Sequence, residues 1–213
     1  MDSVQNLDDI NIARILPVST SSKYHHGDLG PALLVAADEL LAESGVGVLS
    51  LREVARRAGV SHNAPYHHFA DRRALLKRLS ERHMAQLLEG QRRAVAEVTP
   101  GAPAIRAIAS AYVDYAVAHP QGFALVFDPE ICIPGAPSAE MAPLIRANED
   151  LIAQAIVAVD PTLSGERLEA TVAGAWSLAH GMATLVVAGH LPQDAVVSGL
   201  DALVAFVRQM PTA

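Results

Sequence analysis

The run Ser61-His62-Asn63-Ala64-Pro65-Tyr66-His67-His68 gathers hydrogen-bonding side chains whose types suit the reading of base edges. Asn can pair with adenine in a bidentate way, His donates or accepts, and an alanine methyl can meet the methyl of thymine. Metal chemistry is the competing use of such residues, because His25, His26, His62, His67, His68 and His83 place six of the nine histidines between residues 23 and 93. The spacing does not suit it. No His-Glu-x-x-His or comparable helical pair occurs, adjacent histidines point in different directions, and Cys132 is the one cysteine. Neither a Gly-x-Ser-x-Gly nucleophile elbow nor a phosphate-cradling glycine loop is found. The reading is a non-enzyme with no metal and no cofactor, and its alternative is a helical metal-binding protein or enzyme without DNA-binding activity.

The flanking residues supply the elements that would position this run. Ser50 and Glu53 have the spacing of a capping box, so Leu51 opens a helix whose inward face is Leu51, Val54, Ala55 and Ala58. Gly59 ends it, since glycine enters the left-handed region without steric cost, and Val60 can plug the angle between this helix and the next. Ser61 is a natural N-cap for a second helix running through Tyr66 and Phe69, with Pro65 at or near the end of its first turn. A helix, a glycine turn and a helix form the local design of a DNA reader. In that design the second helix lies in the major groove, with His62, Asn63, Ala64, Tyr66 and His67 at base edges. Ser50, Arg52, Ser61, His68 and Arg72 stand near helix starts, where phosphate is held.

Gly59-Val60-Ser61, Tyr66-His67-His68-Phe69 and Asp71-Arg72-Arg73-Ala74-Leu75-Leu76 resemble the N-terminal domain of the tetracycline-repressor (TetR) family of transcription regulators. The similarity begins at Tyr24-His25-His26-Gly27-Asp28-Leu29 and runs to about Arg82. Downstream, Trp176-Ser177-Leu178-Ala179-His180-Gly181 resembles the Trp-His-Gly signature of one C-terminal branch of that family. The resemblance implies a homodimer on a double-stranded, palindromic DNA operator, controlled by a small molecule and most often acting as a repressor. It also implies that Arg72 takes the place of a phosphate-contacting lysine. Gly30-Pro31 departs from the family, which more often has basic residues there.

Composition agrees with an all-helical chain. Hydrophobic residues make up 51% of the 213 but aromatics only 4%, so the apolar content is mostly Ala, Leu and Val, and β-alternation is hard to find. The net charge of −7 argues against nucleic acid until its distribution is inspected. Residues 23 to 93 carry 11 basic and 8 acidic residues, while residues 94 to 213 carry 4 and 12. A basic N-terminal part can face phosphate while an acidic remainder faces away. A lone cysteine and an acidic start, with Asp2, Asp8 and Asp9, point to the cytoplasm rather than to export.

The expected organisation is a flexible arm over 1–22, a helix-turn-helix DNA-binding domain over 23–83, and a regulatory and dimerisation domain over 84–213. Helices are expected from about Asp28 to Ser44, from near Asp71 to about Val98, over 103–118, 120–128, 138–159 and 165–190, and over 194–209, with the proline-rich segment 129–137 as a loop. The 24 residues between Glu169 and Asp194 carry no charge, long enough to cross a bilayer. His180 near the centre, several small residues and the lack of basic flanks favour a buried core or dimer helix, so no membrane partner is expected. Leu185, Val186, Leu200, Leu203, Val204 and Val207 would form the dimer seam. For an effector, Tyr112, Tyr115, Phe123, Phe127, Trp176 and His180 are the candidate lining, an apolar chamber with one titratable group suited to a mostly apolar molecule.

Overall fold

A computed structural model describes residues 29–196 and 198–202. The N-terminal arm, Tyr24 to Gly27, the Asp28 cap, Leu203, Val204 and Val207 lie outside the described residues. Among the described residues the regular structure is helical throughout: α1 (Leu29–Ser44), α2 (Leu51–Arg57), α3 (Arg72–Ala96), α4 (Ala102–Ala118), α5 (Pro120–Val126), α6 (Met141–Val157) and α7 (Gly165–Val187), with single 3₁₀ turns at Val46–Val48 and Ala64–His67. Helical backbone resumes at 195 and reaches 202, apart from residue 197. Two compact units result. The first contains the described residues up to Gln86 together with His119–Ala147, and the second contains Leu87–Ala118 and the residues from Asn148 onward. The first unit therefore ends within α3 and includes α5 and the 127–140 loop.

The first unit is built on the apolar stripe of α1. Leu33, Leu34, Ala36, Ala37, Leu40 and Leu41 are buried at helical spacing, and they share one core with Leu51, Val54, Phe69, Leu75, Leu76, Leu79, Leu125 and Ile131. α1 packs against α2 and α5. Leu125 and Ile131 come from α5 and the loop behind it, which is why a segment well beyond α3 in the chain belongs to this unit.

Through the middle of α3 the usual polarity is inverted. Ser80, Glu81, Arg82 and His83 are consecutive, and all four are at most 7% exposed. Several of them find a neighbour on a different element. Ser138 donates its hydroxyl to Glu81 Oε1 at 2.7 Å while capping α6 by accepting from Met141 N–H. Arg82 donates Nε to Asp38 Oδ2 of α1 at 3.3 Å, and His83 Nε2 lies 3.0 Å from Asp38 Oδ1. Burial raises the Asp38 pKa, but the His83 hydrogen bond and the charges of His83 and Arg82 outweigh it and hold the carboxyl below its ordinary 3.8. His83 also faces α5, where Gly122 lets the backbone approach closely. A Cβ on Gly122 would fall 2.1 to 2.4 Å from three atoms of the imidazole ring.

The second unit packs α4 against α7. Its buried residues include Leu87 and Leu88 of α3, Ile108, Ala109, Tyr112, Val113 and Ala116 of α4, and Leu151, Ile152, Ala155 and Ile156 of α6. α7 is little covered by its own chain. Its 18-residue apolar window, of mean hydropathy 1.3, is only 17% buried within the chain, and Val172, Ala179 and Ala183 are its buried residues. It is not a core helix of the single chain. Its small residues let it lie closely on α4 along one narrow stripe, leaving Trp176, Leu185 and Val187 exposed.

Gly122→Ala should therefore cost about 1–3 kcal/mol of stability through overpacking, since the ring it meets is itself buried. Pairing it with His83→Ala should recover part of the loss. Denaturant unfolding of the single and double variants checks this, and additive losses would show that the ring is not the obstacle.

Candidate nucleic-acid interface and effector site

The reading surface starts with α2. The Ser50 hydroxyl accepts from Glu53 N–H at 3.2 Å, as the capping box requires. After the C-cap Ala58, Gly59 turns the chain with φ of 68°, and Val60 N–H bonds back to Ala55 C=O at 3.0 Å. A regular second helix from Ser61 does not form. Ser61 to Asn63 make a turn, and Ala64–His67 make a 3₁₀ turn with Asn63 at its N-cap. The reason is Pro65, buried and without an N–H to offer Ser61 C=O. That carbonyl takes the Ala64 N–H at 3.0 Å instead, and Tyr66 N–H bonds Asn63 C=O at 3.2 Å, both over three residues.

Within this tighter turn the side chains still separate cleanly. Pro65 and Phe69 face the core. Ser61, His62, Asn63, Tyr66, His67 and His68 are exposed, and Ala64 is half-buried. The His68 ring lies over Gly30 of α1, whose missing Cβ would come within 3.2 Å of its Nδ1. The unusual Gly30 is thereby accounted for: it seats a histidine of the reader.

The arginines are less available to phosphate than their number suggests. Arg57 bridges Glu39 and Glu43 of α1, Arg56 pairs with Glu53, Arg78 pairs with Glu81, and Arg82 pairs with Asp38. Glu43 and Glu53 are held below their ordinary carboxylate pKa by the hydrogen bonds of Arg57 and Arg56. Arg72 donates Nε to Leu49 C=O at 2.7 Å and Nη2 to Val46 C=O at 2.6 Å. It pins the segment before α2 to the start of α3 through two of its five N–H donors. Arg52 is exposed on the first turn of α2. The local excess of base thus works mostly as internal mortar.

The effector candidates divide between the units. Phe123 and Phe127 belong to the first, where their rings pair edge-on at 5.1 Å. Tyr112, Tyr115, Trp176 and His180 belong to the second, and three of these meet. Trp176 hydrogen-bonds the Tyr112 phenol, whose oxygen stands 2.9 Å from His180 Nδ1. The Trp176 and His180 ring centroids lie 5.9 Å apart, one turn apart on α7. Indole only donates, so the phenol oxygen accepts from Trp176 and its hydrogen is available to a neutral imidazole. Burial lowers the His180 pKa below 6.5, which favours that neutral acceptor. The Tyr112 phenol is pushed well above its ordinary 10, chiefly by burial, with the Trp176 bond acting the other way. Tyr115, three residues further along α4, is half-buried.

Three polar residues near the aromatic unit escape a reading by residue type. Gln91, Arg92 and Asn148 each carry a side-chain N or O atom shut off from solvent and without a hydrogen-bond partner. For Gln91 the signal in the sequence is periodicity. Leu75, Leu79, His83, Leu87 and Gln91 step by four along α3, so His83 and Gln91 occupy positions on an apolar ridge. Among the described residues no three His, Cys, Asp or Glu side chains converge as a metal site would need.

A helical chain that displays a capped helix, a glycine turn and an outward polar edge, with an aromatic and histidine cluster in a separate unit, has the build of a ligand-responsive DNA-binding regulator. Residues 33–79 match the tetR family of bacterial regulatory proteins, and residues 105–209 match the tetracyclin repressor-like C-terminal domain. A solved protein of unknown function from Rhodococcus sp. RHA1 is 35% identical, with 86% of this chain and 96% of that one covered and a TM-score of 0.74. The HTH-type transcriptional activator FasR of Mycolicibacterium smegmatis is 33% identical over 96 residues, 45% of this chain and 44% of that protein. The chain thus matches less than half the length of that curated relative. FadR of Bacillus subtilis, solved in complex with stearoyl-CoA, shares the fold at 14% identity and a TM-score of 0.58, over 79% of this chain and 95% of that one. The chain belongs to the TetR family of bacterial regulatory proteins.

A pH dependence arises from His180 and from His119, whose pKa is also lowered, by burial and by the charge of His83 against the opposing pull of Asp38. A histidine depressed in the folded state leaves the unfolded chain binding more protons, so stability is full above 6.5 and falls as pH drops from 6.5 towards the folded-state value. The melting temperature should decline between about pH 7 and pH 5, and His180→Gln should flatten that decline without abolishing it. Equal slopes in both proteins would show that the imidazole titrates as it does in water.

Proposed function

We propose that the chain binds a palindromic DNA operator as a homodimer, represses transcription from it, and releases it on binding a mostly apolar effector with an anionic end, in the cytoplasm. The observation that carries the DNA part is the outward polar edge from Ser61 to His68 on a turn made rigid by Pro65. His62, Asn63, Ala64, Tyr66 and His67 are the residues proposed to meet base edges. Ser50, Arg52, Ser61, His68 and Arg72 are proposed to hold phosphates. Tyr112, Trp176 and His180 are the proposed effector contacts, with Tyr115 beside them; Phe123 and Phe127 are kept as a secondary set on the first unit.

Repression needs a geometric device. Paired recognition edges must fall about one helical turn apart, roughly 34–36 Å or a multiple of it. An effector that favours a dimer with another spacing weakens operator binding by its differential affinity for the two states. The complex of FadR with stearoyl-CoA pairs one relative of this fold with an amphiphile of the proposed kind, an acyl-coenzyme A. The exposed apolar residues of α7 supply the reason for dimerisation.

Selection from random duplex DNA should enrich a palindromic site, with affinity falling steeply as salt rises. Arg52→Ala should weaken binding to every sequence, whereas Asn63→Ala should relax the preference at one or two base pairs by about 1–3 kcal/mol. A pool without an enriched site would refute the specific reader. Reporter expression from the selected site, with and without the regulator, then gives the sign of regulation.

The seam has its own test. Leu185 is 47% exposed in the single chain, so Leu185→Asp leaves the fold of one chain intact yet buries an unpaired charge in the dimer. Sedimentation should find folded monomers with weakened operator binding. A dimer as stable as wild type would place the seam elsewhere.

A further inference from the structure

We propose that Gly30 is a positioning residue of the DNA reader: with no Cβ, it lets the His68 ring rest on the first turn of α1 and so fixes where that ring meets a backbone phosphate. The inference rests on the DNA reading above, in which His68 holds phosphate, and goes beyond it by assigning the placement of His68 to a residue of another helix. Glycine is a weaker helix former than alanine, because its backbone loses more freedom on folding. Gly30 nevertheless stands in the first turn of α1. Left-handed backbone accounts for Gly45 and Gly59, with φ of 74° and 68°, but Gly30 has no positive φ. What accounts for Gly30 is a close approach. The three heavy atoms nearest to its Cβ position all belong to His68, with Nδ1 at 3.2 Å, Cε1 at 3.8 Å and Cγ at 3.9 Å.

The rest matters because the two ends of His68 are held unequally. Its backbone is fixed, since His68 N–H and Phe69 N–H both bond Pro65 C=O, at 3.0 and 2.9 Å, and Pro65 and Phe69 are themselves buried. Its side chain is exposed. An exposed side chain that is ordered only on gripping its partner loses rotamer freedom at that moment, and binds more weakly for it. Contact with α1 orders the ring beforehand. The Nδ1 corner is turned toward Gly30, which leaves Nε2 as the nitrogen further from α1 and the one that can reach a phosphate oxygen. Residues 29 to 37 include no Lys or Arg, so the opening turns of α1 bring no cation of their own to the DNA. Their contribution at this point is steric.

An alanine methyl at position 30 would stand 3.2 Å from Nδ1, closer than the roughly 3.5–4.0 Å of ordinary contact. The ring would turn aside, and being exposed it could do so without disturbing the core. Stability and DNA affinity should therefore move in opposite directions, which separates a positioning role from a structural one.

Full-length wild type, Gly30→Ala, His68→Ala and the double variant should be compared in melting temperature and in affinity for the operator selected from random duplex DNA. The operator is scanned by replacing single phosphates with uncharged methylphosphonate. Gly30→Ala is expected to melt no lower than wild type, yet to bind about threefold to tenfold more weakly, the net worth of one hydrogen bond. One methylphosphonate position that weakens wild type should leave Gly30→Ala and His68→Ala unaffected, and the double variant should bind no more weakly than His68→Ala. A glycine needed only by the fold would lower the melting temperature with or without His68 and leave that position sensitive, which overturns the proposal. Gly30→Ala that binds as tightly as wild type overturns it too, as does His68→Ala that keeps the sensitivity of wild type. Failure of wild type to bind any selected site overturns the DNA reading itself, and the proposal with it.

Discussion

The contact between Asp38 and the Arg82-His83 pair is the constraint on which the first unit depends. One carboxylate on α1 receives two side chains from successive residues of α3, while the other faces of the same turn meet Gly122 and Ser138. A helix buried on all sides normally carries apolar residues all round. Here four polar residues fill the turn, and the contacts of Glu81, Arg82 and His83 with Ser138 and Asp38 are directional, so α1 and the chain before α6 are fixed in register as well as in contact. Removing one partner of such a set leaves the other charged and enclosed, which costs about 3–5 kcal/mol in comparable buried pairs. A hydrophobic turn of equal volume could match the stability, but it would tolerate sliding.

That register matters because the reader is small and its specificity is positional. Phosphate contacts set where a recognition edge lies, and base contacts then test it. Arg57 spends its charge on Glu39 and Glu43, and Arg72 directs two donors to the Val46 and Leu49 carbonyls. These bonds hold α2 against α1 and the Val46–Val48 turn against α3. They reduce the free positive charge while sharpening the placement of Asn63 and its neighbours.

Much of this is legible in the sequence, and the exceptions have physical causes. The capping box at Ser50, the glycine turn at Gly59 and the apolar stripes of α1 and α3 are local patterns, and they place the helices to within a few residues. The recognition helix reads too long from sequence because Pro65 is tolerated in a first turn; its missing N–H also starves Ser61 C=O and tightens the turn. The Tyr112, Trp176 and His180 cluster can be suspected from side-chain type, but the placement of Phe123 and Phe127 depends on α5 joining the reader's unit. That is a tertiary fact. Composition alone suggests a buried α7, and composition does not say whether the burying partner is the same chain.

The ridge of α3 puts one sequence anomaly to two uses. His83 and Gln91 interrupt a single series of leucines two turns apart, and from sequence they are alike, each a polar side chain where an apolar one would pack. The fold treats them oppositely. His83 meets Asp38 and lies against Gly122, so its polarity is used in fastening helices. Gln91 has one end on Ile108 C=O and the other end unmet. On one helix, then, the first position fastens α3 to α1, and the second fastens it to α4. The two lie eight residues apart on α3, a helix that contributes residues to both units.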